Sequence, residues 1–363
     1  MENRAIGGFS SDRLKLMVDN DVVPFYPDLI LFHDYGSEPD YEQIIRTIRS
    51  RTTADIIIQT DHIGVGQNQE WHDQHSNVWL PALCNTYGLA LVDVRAAWKA
   101  YLEQNQLPTA KLLSDNVHLN DHGNYLMAKI IERYLEALPQ QTSNATTAVR
   151  ILRRGQDFSP KQDKIQLPAT GNRIDLVWSA NDNPAGSVAV TIDGQRPSAQ
   201  LPTYYHTRPA LKSTGFFLNH MGQLLAMRLG GQPQAEDWIL TVTDVDSVGQ
   251  QLRFRLSGSR TGDDGSGSSD QPFVSTSGRI VIDSTGWFRR KNAGDFGQFP
   301  WLRPGDQLRW QVVSTSQDLC LPASGQATTV VQGIANTDHR LKLTGKGVNA
   351  ISEIRIYQPP LRP

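Results

Sequence analysis

Cysteine is nearly absent: Cys84 and Cys320 are the only two in 363 residues. They lie too far apart for a disulfide framework or a paired-cysteine zinc motif. Both are expected to be buried small hydrophobes. Long apolar runs are missing too, so no segment reaches the ~20 residues that a membrane-spanning helix needs. The first residues lack the apolar core of a signal peptide. There is no excess charge of either sign: 35 Lys and Arg face 37 Asp and Glu, for a net charge of -2. Such a balance gives no electrostatic footprint for nucleic acid or an anionic membrane surface. What the chain does have is a 39% hydrophobic content, ordinary for a globular protein, and enough length for two or three domains.

The most informative stretch is residues 112–138. Asp115 and His118 stand three residues apart, followed by Asn120 and Gly123. Leu126, Ile130 and Tyr134 then recur at helical spacing, flanked by Met127, Ile131 and Leu135. A polar loop therefore leads directly into an amphipathic helix. A catalytic histidine needs one ring nitrogen held, commonly by a carboxylate, while the other faces the reaction. One turn of chain can bring Asp115 to His118. The plainer reading of the same residues is a solvated loop whose Asp caps the helix.

Upstream, apolar runs alternate with helical patterns. Strands are expected at residues 28–32, 54–60 and 89–94, and helices from residue 13 and over 41–51, 71–87 and 96–104. The run at 28–32 suits a strand buried on both faces. Strands alternating with helices predict a parallel α/β sheet, whose ligands bind beyond the strand carboxyl ends. His33, Ser37, Asp61, His62, Asp115 and His118 all fall on that side, and with Asn120 they are the candidate pocket residues. Ser10 and Ser11 read as helix caps. His62, His72 and His75 form a histidine group that lacks a standard zinc spacing, so no metal or other cofactor is expected.

After a polar linker beginning near residue 140, the texture becomes all-β. Residues 173–178 and 187–192 alternate, and the second run closes on Asp193-Gly194, a hairpin signal. A loop rich in Gly, Ser and Asp is expected at 261–270. Trp178, Trp238, Trp287, Trp301 and Trp310 all lie in this half. They read either as core or as flat faces for sugar rings.

The block Asp115-x-x-His118-x-Asn120 with Gly123 resembles the last conserved block of the SGNH (GDSL-type) hydrolases. Residues 3–11, Asn-Arg-Ala-Ile-Gly-Gly-Phe-Ser-Ser, resemble that family's second block. Residues 27–32 resemble the strand into its third. The resemblance covers about residues 1–140 and implies an incomplete flavodoxin-like, three-layer α/β domain. It implies His118 as general base, Asp115 as its orienting carboxylate, and the Gly8 backbone N–H as an oxyanion donor. Two departures stand out. The third block's Gly-x-Asn-Asp is replaced by His33-Asp34-Tyr35-Gly36. The first block, Gly-Asp-Ser with the nucleophile, would lie upstream of Asn3, so the chain is expected to be truncated and to have little activity. Ser37 is the fallback nucleophile.

Residues 163–205 with 327–363 resemble a galactose-binding-like jelly roll, a β-sandwich. Residues 206–326 read as an inserted β-rich unit, and 141–162 as the linker. The implied function is a serine esterase hydrolysing acyl esters, O-acetyl groups above all, on a small-molecule or polysaccharide substrate. The rivals are a non-catalytic carbohydrate-binding remnant and a metal-dependent hydrolase. The compartment stays open; an upstream signal peptide would make it periplasmic or secreted.

Overall fold

The computed structural model describes residues 1–138, 148–180, 186–211, 224–246, 251–287, 290–292, 295–298 and 302–362. It divides into two compact units. One comprises Met1–Tyr26, Arg46–Thr53 and Ala148–Pro363; the other comprises Pro27–Ile45 and Ala54–Thr147.

The second unit is α/β. Its sheet runs β1 (Leu29–Phe32), β2 (Asp55–Gln59), β3 (Ala90–Val92) in that spatial order. Both pairings are parallel, with Leu31 opposite Ile57 and Ile57 opposite Ala90. Ile56, Ile57 and Ile58 of β2 are buried, as the central strand of a covered sheet requires. At β1 the expectation of burial on both faces fails: Leu29 and Leu31 are 50% and 48% exposed. β1 is an edge strand of this sheet, and its first face is uncovered.

Helices follow the strands. α2 (Glu38–Arg51) comes after β1, with Tyr41, Ile44, Ile45 and Ile48 buried along one stripe. The expected helix at 71–87 is three pieces: α3 (Gln69–Gln74), a wider π turn (His75–Trp79) and α4 (Leu80–Tyr87). α4 ends where Gly88 takes a φ of 63°, the left-handed stop that glycine tolerates. α5 (Val94–Gln104) is capped by Asp93, whose carboxylate accepts from Ala96 N at 3.0 Å. α6 (Asp121–Ala137) packs Leu126, Met127, Ile130 and Tyr134 onto a core of Ile57, Val92, Trp98 and Leu112.

The first unit is mainly antiparallel β. Residues 1–26 belong to it, with α1 (Ser11–Asp21). Ile6, Phe9 and Met17 share a core with Leu225, and Asp21 is gripped by Arg4 and Arg208. Ser10 sits at the α1 N-cap position, yet its hydroxyl donates to Asp12 at 2.6 Å and makes no cap bond. Lys164–Trp178 pairs along its length with Ala327–Thr344, in a six-stranded sheet that also holds Val188–Ile192 and Ile351–Tyr357. The Asp193-Gly194 turn has positive φ at both residues, 53° and 80°, as a tight hairpin demands. The strands between 204 and 314 form separate sheets, the largest also six-stranded.

Several expectations change here. Of the stretch 141–162 read as a linker, residues 141–147 lie outside the described residues, and Val149–Arg153 is a strand paired with Ile351–Tyr357. The stretch 261–270 is not a loop. Gly262–Ser268 is an edge strand on Leu252–Gly258, held by Arg255, which donates to Asp263 at 2.8 Å through two nitrogens. Trp178, Trp238, Trp287 and Trp310 are buried at 1%, 1%, 6% and 3% exposure, so none offers a free face to a sugar; Trp301 lies outside the described residues. Cys84 and Cys320 are buried free thiols, each pushed up to about 11 by burial.

Candidate active site

The Asp115–His118 loop is built by local bonds. Leu113 and Leu119 bridge as an antiparallel pair. Ser114 N–H donates to the His118 carbonyl at 2.8 Å, and Asn120 N–H to the Leu112 carbonyl at 3.1 Å. Asp115 folds back inside the turn. Its Oδ1 accepts from the backbone N–H groups of Val117 and His118, each at 2.7 Å. Its Oδ2 accepts from His118 Nδ1–H at 2.6 Å. These bonds, the backbone N–H of Val117 foremost, hold the Asp115 carboxyl down at about 2. Among the described residues no group bonds His118 Nε2, and the side chain is 81% exposed. The geometry therefore occupies Nδ1 and leaves Nε2 toward solvent.

Asn120 is the α6 cap. Its Oδ1 accepts from Gly123 N–H at 3.0 Å, and its amide donates to the Lys111 and Leu113 carbonyls at 2.9 and 3.2 Å. Through these bonds its side chain ties the loop to the start of α6. Gly123 follows from packing: a Cβ there would stand 2.2 Å from the Leu112 carbonyl oxygen.

The loop after β2 supplies Asp61 and His62. Asp61 is 4% exposed and bonds His72 Nδ1 and the Ser76 hydroxyl. His62 packs its ring 5.4 Å from Trp98 and donates Nε2–H to the Val117 carbonyl at 2.7 Å. Burial lowers its pKa below the ordinary histidine value. Arg95, unmarked by the sequence reading, is the hub of this region at 1% exposure. It bonds Asp73 at 2.7 Å, Gln69 at 2.6 Å and the His62 carbonyl at 3.2 Å, and lies 3.6 Å from Asp61. One signal was present: a cation in the first turn of a helix opposes the helix dipole and needs compensation nearby.

The turn after β1 holds His33, Asp34 and Tyr35. The His33 and Tyr35 rings meet edge to face at 4.8 Å, and Tyr35 meets His72 at 5.9 Å. His33 Nε2 and Tyr35 OH are buried without a hydrogen-bond partner among the described residues. Burial holds the His33 imidazole down at about 4 and raises the Tyr35 phenol. Ser37 stands at the start of α2, where its Oγ accepts from Asp40 N–H at 3.3 Å. His75 is stacked between Trp71 and Trp79, both at 4.9 Å. Among the described residues no group of acidic, His or Cys side chains is arranged to hold a metal ion. Gly8 belongs to the first unit; it is exposed, with a φ of 76°, and its carbonyl accepts from Arg13 at 3.1 Å.

No family model and no curated protein matches this chain. Solved structures do. It is similar to an acetyl xylan esterase, at 22% identity over 36% of this chain and 78% of that one, with a TM-score of 0.33. It is similar to an acetylxylan esterase from Geobacillus stearothermophilus, at 22% identity over 35% of this chain and 67% of that one, TM-score 0.30. A two-domain esterase active on acetylated mannans aligns over 99% of this chain and 81% of its own, at 12% identity and a TM-score of 0.32.

Proposed function

We propose that this chain carries the acid–base half of an SGNH-type serine esterase that hydrolyses acyl esters, chiefly O-acetyl groups on a carbohydrate. The observation that carries the reading is the Asp115–His118 pair, 2.6 Å apart, with Nε2 unoccupied and exposed. In the reaction, His118 Nε2 takes the proton of a serine hydroxyl as that oxygen attacks the ester carbonyl. It then returns the proton to the departing alcohol. Asp115 fixes the tautomer and stabilises the imidazolium. The carbohydrate substrate rests on the resemblance of the sequence blocks. On the same basis, residues 163–205 and 327–363 are read as a galactose-binding-like jelly roll, with 206–326 inserted.

The serine belongs to a Gly-Asp-Ser block, and that tripeptide does not occur in these 363 residues. The reading therefore expects the chain as given to hydrolyse p-nitrophenyl acetate barely above background. The same chain with a segment carrying a Gly-Asp-Ser block joined ahead of Met1 is expected to hydrolyse it by turnover. Equal rates from the two lengths would show that the nucleophile is within the present chain, and Ser37→Ala would then be the decisive variant.

A further inference from the structure

We infer that His62 is a positioning residue: its Nε2–H clamps the Val117 carbonyl and so holds the Asp115–His118 loop in its working shape. The inference deepens the esterase reading and rests on it for its catalytic meaning. Three observations converge on the clamp. The His62 Nε2–H to Val117 carbonyl bond is 2.7 Å long, from a side chain only 8% exposed. Three residues on, Val65 N–H donates to the Asn116 carbonyl at 2.8 Å. Between them, Gly64 lets the two loops close up: a Cβ at that position would lie 2.9 Å from the Asn116 oxygen and 2.5 Å from the Gln67 side chain.

The clamp has a rigid anchor. The His62 carbonyl accepts from Arg95 at 3.2 Å, and Arg95 N–H donates to the Thr60 hydroxyl at 2.9 Å. The bonds within the loop it holds are local. Asp115 and His118 are 56% and 81% exposed, and their mutual bonds lie within one turn. A local turn in water opens easily unless something outside it fixes its carbonyls. Val117 and Asn116 sit between the two site residues, so holding their carbonyls fixes the distance from Asp115 to the His118 ring. A neutral imidazole has one N–H. If it is on Nε2, His62 can play this part without carrying charge.

The test uses the full chain and needs no turnover. Hydrogen exchange is measured at the Val117 and His118 amides, both of which donate to Asp115. His62→Phe keeps a ring against Trp98 and removes the donor. His62→Gln keeps an N–H at similar reach. One buried hydrogen bond converts to an acceleration of about three- to tenfold. His62→Phe is expected to speed exchange by that factor at these two amides while the Ile57 and Ile58 amides of β2 stay protected. His62→Gln is expected to restore most of the protection. If His62→Phe also exposes β2, Gly64→Ala provides the same separation of loops with His62 intact, and the same acceleration is expected. Unchanged exchange in both His62→Phe and Gly64→Ala would overturn the clamp. So would His62→Gln exchanging as fast as His62→Phe, since packing alone would then be at work. The esterase reading fails separately, if hydrolysis by a chain supplied with a Gly-Asp-Ser block ignores His118→Ala while exchange still responds to His62.

Discussion

Asp115 shows how much a single residue can do when its partners are close in sequence. Two backbone N–H groups and one imidazole converge on one carboxylate. A carboxyl held low keeps its charge, and the order that charge gives the loop, at every pH above the ordinary carboxylate range. That order is lost as pH falls through about 2. A carbon-13 titration of the Asp115 carboxyl should therefore find its midpoint near 2; a midpoint near ~4, the unperturbed value, would show that the turn is open in solution. This pair was legible in the sequence because its geometry is local. Arg95 and His62 were not legible in their roles, because Arg95 meets Asp73 and His62 meets Val117 only after β2, β3 and the 115–118 loop have assembled. For Asn120 the sequence gives the polarity, and the folded loop adds a cap on α6 and bonds to two carbonyls.

Among the elements, α6 is the one the site depends on, and it presses closely on the loop at Gly123. Gly123 is its only buried residue, pressed against the Leu112 carbonyl. Gly123→Ala would force helix and loop apart, and a cost of about 1–3 kcal/mol is expected, as for other overpacked sites. Denaturant unfolding measures it; a loss under about 0.5 kcal/mol, the usual size of a neutral surface change, would mean that α6 is not seated as described. The helix itself was readable from its 3.6-residue stripe. The strand Gly262–Ser268 was not. Its Gly, Ser and Asp content signals a loop, and what makes it a strand is the alternating Leu252, Phe254 and Leu256 of its neighbour, with the Arg255 grip on Asp263. Pairing supplied by another segment overrode local propensity.

For the whole molecule, the uncovered β1 edge has a consequence. Leu29 and Leu31 are about half exposed on a strand whose outer backbone groups are unpaired within its sheet. Such an edge recruits other chains. The protein as given is expected to self-associate as its concentration rises, and Leu31→Lys, a charge on that face, to reduce it. Sedimentation reads this directly. A parent that stays at 40.4 kDa across the accessible concentrations would show that the edge is protected. The alternating pattern of residues 27–104 made the parallel sheet legible. The exposure of β1 was not, since an apolar run looks the same whether or not a neighbour covers it.

The central claim is that His118 moves the proton in ester hydrolysis, and one rate comparison tests it most directly. In a chain supplied with a Gly-Asp-Ser block joined ahead of Met1, His118→Ala is expected to lower turnover of p-nitrophenyl acetate on the order of 10⁴-fold or more, because a triad works as a unit. Asp115→Asn is expected to cost less than that, with the fold unchanged by circular dichroism. Hydrolysis by the His118→Ala protein within tenfold of its parent would contradict the account.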